Sequence, residues 1–169
     1  QRFLDELANM LGLPEAPHTI ESYDISNWGD GTSVAGMVVF SDGKPYKAGY
    51  RKFKINSVAG TDDYASMQQV LMRRFRHFQA GDKGFETAPD LLLIDGGATH
   101  AATAQNALIQ LGVSVPVFGM VKDDRHRTRA LVTPAGEEIR LDAEPSVFSF
   151  VGAIQEETHR YAIGYQKNL

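Results

Sequence analysis

Leu91-Leu92-Leu93-Ile94-Asp95-Gly96-Gly97 runs apolar without interruption and then stops at a carboxylate and two glycines. A strand that offers no polar face must be covered on both sides, the condition of a central strand in a parallel sheet. On its C-terminal side, Ala101–Leu111 reads as a helix closed by Gly112, and Val115–Val121 as a second buried strand. On its N-terminal side, beyond a loop over 80–88, lies an amphipathic helix. Thr61 is its cap, and Asp62 and Asp63 occupy the first turn, as the macrodipole prefers. Tyr64, Met67, Leu71, Phe75 and Phe78 recur at helical spacing as one buried stripe, with Arg73, Arg74 and His77 opposite. Helix and strand alternating in this way call for right-handed crossovers between parallel neighbours.

The first third of the chain has another character. A short helix over 2–11 is stopped by Gly12 and Pro14. Three strands follow at short intervals: Ile20–Ser26, Thr32–Phe40 and, after the Ser41-Asp42-Gly43-Lys44 turn, Tyr46–Ile55. At the other end, Ala130–Thr133 and Glu138–Leu141 suggest a hairpin around Pro134-Ala135-Gly136, and Ser146–Tyr165 a closing helix. Val147, Phe150, Val151, Ile154, Thr158, Tyr161 and Ala162 share one side of that helix. The fold class is α/β: three antiparallel strands and then parallel strands in one mixed sheet, with helices on both faces. That order looks like the ribonuclease H fold.

The 169 residues, 43% hydrophobic and 22% charged, suffice for a domain with a real core and are not the composition of a disordered chain. Cysteine is absent, which excludes disulfides, thiolate zinc sites and a cysteine nucleophile, and fits a cytoplasmic location. No apolar run approaches the ~20 residues that span a bilayer, so no membrane association is expected. Because Gln1 rather than Met comes first, residues 1–169 are expected to be a single domain from a longer protein. A net charge of −4 speaks against indiscriminate coating of nucleic acid. Ten of the 17 Lys and Arg nevertheless fall in three clusters: Arg51, Lys52 and Lys54; Arg73, Arg74 and Arg76; Lys122, Arg125, Arg127 and Arg129. Such clusters make local phosphate-binding surface or simply three solvated faces.

Two carboxylates stand where chemistry is expected. Asp24 interrupts the first strand, and a carboxylate in mid-sheet is costly unless paired or metal-bound. Asp95 ends the apolar strand, where open α/β sheets present a crevice at their strand C-termini. If those two strands are parallel neighbours, the side chains project from backbones ~4.8 Å apart. Their repulsion would be relieved by a divalent cation, and oxygen ligands without thiolate favour Mg²⁺ or Mn²⁺ over zinc. The competing accounts are an ordinary strand-end aspartate for Asp24 and a helix cap for Asp95. His159 borders the apolar stripe of the last helix and is a candidate to complete a metal shell or move a proton, against the plainer role of an edge residue. Lys122, just past the next buried strand, is a candidate to balance a substrate phosphate, against that of a solvated loop lysine. Asp63 is accounted for by helix-end electrostatics. Tyr23 and Trp28, on either side of Asp24, read as a base-stacking surface or as core. Phosphate loops of the G-x-x-x-x-G-K-[ST] and G-x-G-x-x-G kinds are absent, as are H-E-x-x-H and G-x-S-x-G.

Five blocks then occur in order. They are Ile20-Glu21-Ser22-Tyr23-Asp24-Ile25-Ser26, Gly60-Thr61-Asp62-Asp63-Tyr64-Ala65-Ser66-Met67, Leu93-Ile94-Asp95-Gly96-Gly97, Val121-Lys122-Asp123-Asp124-Arg125-His126-Arg127-Thr128 and Glu157-Thr158-His159-Arg160-Tyr161-Ala162-Ile163. Over nearly the whole chain they resemble the C-terminal endonuclease domain of the C component of excinuclease ABC, the nuclease of bacterial nucleotide excision repair. The resemblance implies a ribonuclease H-like fold with an Asp-Asp-His metal site that cuts damaged double-stranded DNA 5′ to the lesion. It puts the family's metal-site residues on Asp24, Asp95 and His159 and a further important aspartate on Asp63. One departure stands out: members commonly carry Lys-Gly-Gln where this chain has Ala98-Thr99-His100, so the phosphate contacts of that loop do not carry over. Segments that would meet the B component of excinuclease ABC are expected outside residues 1–169. Two rival classes remain: a catalytically silent DNA-binding or docking module of the same fold, and a nucleotide phosphotransferase in which Asp95-Gly96-Gly97 meets ATP.

Overall fold

The structure, a computed structural model, describes residues 2–27, 32–56 and 63–167. Helix α1 (Arg2–Leu11) buries Leu4 and Leu7 and ends at Gly12, whose left-handed φ of 71° a glycine adopts without strain. Strands β1 (Thr19–Asn27) and β2 (Thr32–Ser41) pair antiparallel from Thr19↔Ser41 to Asn27↔Ser33. Asp42 and Gly43 follow with φ of 50° and 84°, the two positive values of a tight hairpin turn.

The expected single strand over Tyr46–Ile55 is divided. Lys44–Pro45 forms only the two-residue β3, since Pro45 has no N–H to continue a ladder. A 3₁₀ turn over Lys47–Gly49 carries the chain away, and pairing with β2 resumes in β4 (Arg51–Asn56), where Phe53 and Ile55 are buried.

Crossovers then build the parallel part. Helix α2 (Asp63–Ala80) leads to β5 (Leu91–Asp95), and α3 (Ala98–Leu111) leads to β6 (Val117–Lys122). Strand β5 lies between β1 and β6, parallel to both, and Leu91, Leu92, Leu93 and Ile94 are each fully buried, as a central strand requires. The hairpin β7 (Thr128–Val132) and β8 (Glu138–Arg140) is not separate but extends the sheet antiparallel beyond β6. The path is β3-β2-β1-β5-β6-β7-β8, with β4 also on β2. Helices α2 and α3 pack on each other, whereas α4 (Pro145–Lys167) packs over β1, β2 and β7 and beside α1. This is the ribonuclease H-like mixed sheet expected from the element order.

Two expectations for α2 fail. Tyr64 is exposed, its ring 4.5 Å from that of His100, rather than part of the buried stripe. Arg74 is not on a solvated basic face but is 2% exposed. Its Nε and Nη2 donate to Glu21 Oε1 and Oε2 of β1 at 3.0 and 2.7 Å, and Nη2 also donates to Thr87 O at 2.7 Å. The Tyr23 hydroxyl donates to the same carboxylate at 2.7 Å and is fully buried, so Tyr23 belongs to the core and not to a base-stacking surface. Trp28, Thr61 and Asp62 lie outside the described residues.

Candidate metal centre

The register between β1 and β5 ends at Tyr23↔Ile94, and the next residue on each strand is a carboxylate, Asp24 and Asp95. Two parallel strands in this phase direct these side chains to the same face, at the carboxyl ends where the sheet opens. Antiparallel to Asp24 on β2 is Gly36. A Cβ there would lie 3.1 Å from both Cα and Cβ of Ala162, so the missing side chain is what admits α4 this close to the sheet. The Thr158 hydroxyl, fully buried, lies 2.9 Å from the Ser22 hydroxyl and donates to Ile154 O at 2.6 Å, pinning the helix to β1. One residue on, His159 Nδ1 comes to 3.1 Å from Asp24 Oδ2.

Lys122 arrives from the other side. The ladder between β6 and β7 shifts at Val121/Lys122, a bulge of the kind that re-aims a side chain. Its ammonium lies 3.0 and 3.1 Å from Asp95 Oδ1 and Oδ2. Gly119 makes the neighbouring space: a Cβ there would be 2.5 Å from Gly96 O and 2.9 Å from Gly97 O.

One ligand atom each of Asp24, Asp95 and His159 lies within 4.8 Å of the others. They line an open cleft of about 590 Å³ together with Asn27, Gly96, Gly97 and Lys122. Burial, and after it the charge of Asp95, pushes the Asp24 carboxyl up to about 6, against the pull of His159 and Lys122. Two carboxylates in this setting do not comfortably share their negative charge, and a dication is the natural counterpart.

Asp63 is not in this cluster. Its carboxylate accepts from Asn27 Nδ2 at 2.7 Å, so it touches the rim of the cleft through Asn27, whose other end accepts from the Ser33 hydroxyl at 2.7 Å. For Gly36 and Gly119 the sequence signal is a glycine inside a strand, which marks a close backbone approach, whereas Asn27 carries no such signal. Of the basic clusters, besides buried Arg74, Arg73 donates to Lys54 O at 2.9 Å and Arg51 to Tyr50 O at 2.8 Å. Arg127 and Arg129 pair with Asp123 and Glu138. Much of this charge therefore holds the fold together.

The family model of the UvrC RNAse H endonuclease domain matches residues 8–163. The chain belongs to that family. Its class is that of an endonuclease, which sets the phosphotransferase alternative aside. It is 47% identical over 174 residues to UvrABC system protein C of Caldanaerobacter subterraneus subsp. tengcongensis, covering 96% of this chain and 28% of that protein. With the protein of the same name from Acetivibrio thermocellus it shares 44% identity over 182 residues, covering 98% of this chain and 29% of the relative. The chain thus spans less than a third of the length of these curated relatives. Among solved structures it is similar to human ENDOV at 14% identity and a TM-score of 0.46, covering 81% of this chain and 72% of that one. No helix among the described residues is long and apolar enough to cross a membrane.

Proposed function

We propose that the chain is the catalytic unit that hydrolyses a phosphodiester 5′ to a lesion in damaged double-stranded DNA, using Mg²⁺ or Mn²⁺, during cytoplasmic nucleotide excision repair. The observation that supports this most is the approach of Asp24, Asp95 and His159 to within 4.8 Å at the carboxyl ends of two parallel strands. The donor set suits a hard dication, with two carboxylates crowded together, Asp24 pushed toward protonation, and no cysteine in the chain. Asp24, Asp95 and His159 are the proposed ligands. When bound, such a cation neutralises charge on the scissile phosphate and lowers the pKa of an attacking water.

The chain's own groups supply the rest. Lys122 balances Asp95 and, from the same cleft, offsets charge on the phosphate. His159 is tethered to Asp24 through Nδ1, which leaves Nε2 for a ligand bond or for a proton passed to the leaving oxygen. Asp63 orients Asn27 at the rim. Exposed Lys54, Arg76 and Arg125 contribute backbone affinity that falls with salt and carries little sequence information. Placement on damage is left to partners, the B component of excinuclease ABC among them, acting through segments outside this chain.

Nicking of a supercoiled plasmid in Mn²⁺ tests the reading. The parent chain is expected to nick, and Asp95→Ala to nick at least about a hundredfold more slowly, since the dication supplies several kcal/mol of transition-state stabilisation. A parent that does not nick, or an Asp95→Ala variant that nicks at the parent rate, contradicts it. Gly36→Ala offers a finer test. Its methyl must push α4 outward, at a cost of about 1–3 kcal/mol. The resulting shift of His159 from Asp24 is expected to slow nicking at least about tenfold. Calorimetry and the same nicking assay give both quantities.

A further inference from the structure

Beyond Lys122 and His159 the cleft continues into a second hollow of about 410 Å³, whose walls include His126, Gln155, Glu156 and Ile163. Three features there play no part in holding the proposed cation. His126 has a φ of 62°, one of two positive values among the described non-glycine residues. That backbone is strained for an L-residue, and the surrounding turn enforces it. Asp123 Oδ1 accepts from the N–H groups of Arg125 and Arg127 at 2.8 and 3.0 Å, while Asp123 N–H donates to Arg127 O at 2.7 Å and His126 N–H to Asp123 O at 3.0 Å. Strain held by so many bonds marks a position where orientation matters.

The second feature is Gln155, only 6% exposed, which lines the hollow. The third is the Thr128 hydroxyl, 1% exposed and without a hydrogen-bond partner among the described residues, in an adjoining depression that shares Gln155 and Glu156 with the hollow.

Resting on the cleavage reading above, we propose that this hollow seats the sugar and base of the nucleotide next to the scissile phosphate, with the His126 imidazole against the base face and the Gln155 amide at its edge. The wall chemistry selects a base over a second phosphate. Glu156 repels an anion, and the Arg160 guanidinium is engaged by Glu157 at 2.7 and 2.9 Å. Ile163 adds apolar surface, and a primary amide both donates and accepts, as a base edge requires. Lys122, on the boundary of the two cavities, is where the phosphate ends and the nucleoside begins. His126 is a positioning residue in this account: it orders the strand on which the cleft acts.

The test is a titration of the ¹⁵N-labelled chain with a four-residue oligothymidylate in Ca²⁺, followed by NMR. Resonances around Asp95 and those of His126 and Gln155 are expected to move together. The same oligomer with an abasic residue beside the central phosphate is expected to move only the Asp95 group. His126→Gly accepts the turn's φ without strain, so it should melt at or above the parent, and His126→Asn gives a second folded variant without an aromatic ring. Each is expected to bind the intact oligomer about tenfold more weakly and the abasic one within about twofold of the parent. Movement at Asp95 without movement at His126 and Gln155 overturns the hollow and spares the cleavage site. Movement at the hollow alone supports the nucleoside seat and overturns the cleavage reading. Equal weakening of both oligomers by His126→Gly, or no movement anywhere, overturns the nucleoside seat.

Discussion

At pH 8 without metal, the Asp24→Asn protein is expected to melt well above the parent, although it cuts DNA at least about a thousandfold more slowly in Mn²⁺. Burial first, and then the charge of Asp95, raises the Asp24 carboxyl from an ordinary 3.8 to about 6. Between those two values the folded protein keeps a proton that the unfolded chain has released. The resulting contribution to stability is fully present in acid and is lost as pH rises through about 6. The difference amounts to about 3 kcal/mol, or roughly 6–12 °C for a protein of this size. An amide at the same position carries no charge at any pH and still offers an oxygen to His159. Calorimetry at pH 4, 6 and 8 should therefore show the parent losing stability relative to the variant as pH rises. Added Mn²⁺ should raise the melting temperature of the parent at pH 8 and leave that of Asp24→Asn unchanged. Parallel pH profiles for the two proteins would remove the electrostatic conflict from which the cation site is argued.

The second large effect concerns stability alone. Arg74→Ala is expected to cost about 3–5 kcal/mol, because it leaves the Glu21 carboxylate buried at 3% exposure without its cation. The same change removes donors from Thr87 O and Phe85 O in the segment that leads into β5. Tyr23, whose hydroxyl burial pushes well above its ordinary range, stays a neutral donor to Glu21 and supplies no positive charge in place of Arg74. Replacing both partners, Glu21→Leu with Arg74→Met, should recover most of the loss, since a filled apolar site avoids two desolvated charges. Chemical denaturation of the two variants measures both values. A loss below about 1 kcal/mol for Arg74→Ala would mean that solvent reaches the pair.

These two sites differ in how visible they were before the structure. Leu91–Asp95 declares a central strand by itself, because four apolar residues in sequence leave no face for water. Once β1 and β5 are neighbours, the period-2 geometry of strands makes Asp24 and Asp95 meet, so the carboxylate pair was legible from two short segments. His159 owed its prominence to the family resemblance, since its position on a helical wheel also fits an edge residue. Arg74 was misread for a physical reason: its burial depends on Glu21, fifty-three residues earlier, and no local periodicity reports a long-range ion pair. The approach of α4 was equally hidden. It rests on Gly36 having no side chain opposite Ala162, a contact between segments that lie far apart in the chain. Lys122 reaches Asp95 through a bulge between β6 and β7, which a run of alternating residues does not announce. The division of the third strand did have a local cause in Pro45.

The proposed cation site joins Asp24, Asp95 and His159. Anomalous scattering from a crystal soaked in Mn²⁺ tests it most directly. A single strong peak or a close pair of peaks is expected in contact with both carboxylates and the imidazole, absent from Asp95→Asn crystals soaked in the same way. Full-occupancy manganese elsewhere on the molecule, with no peak between β1 and β5, would contradict it.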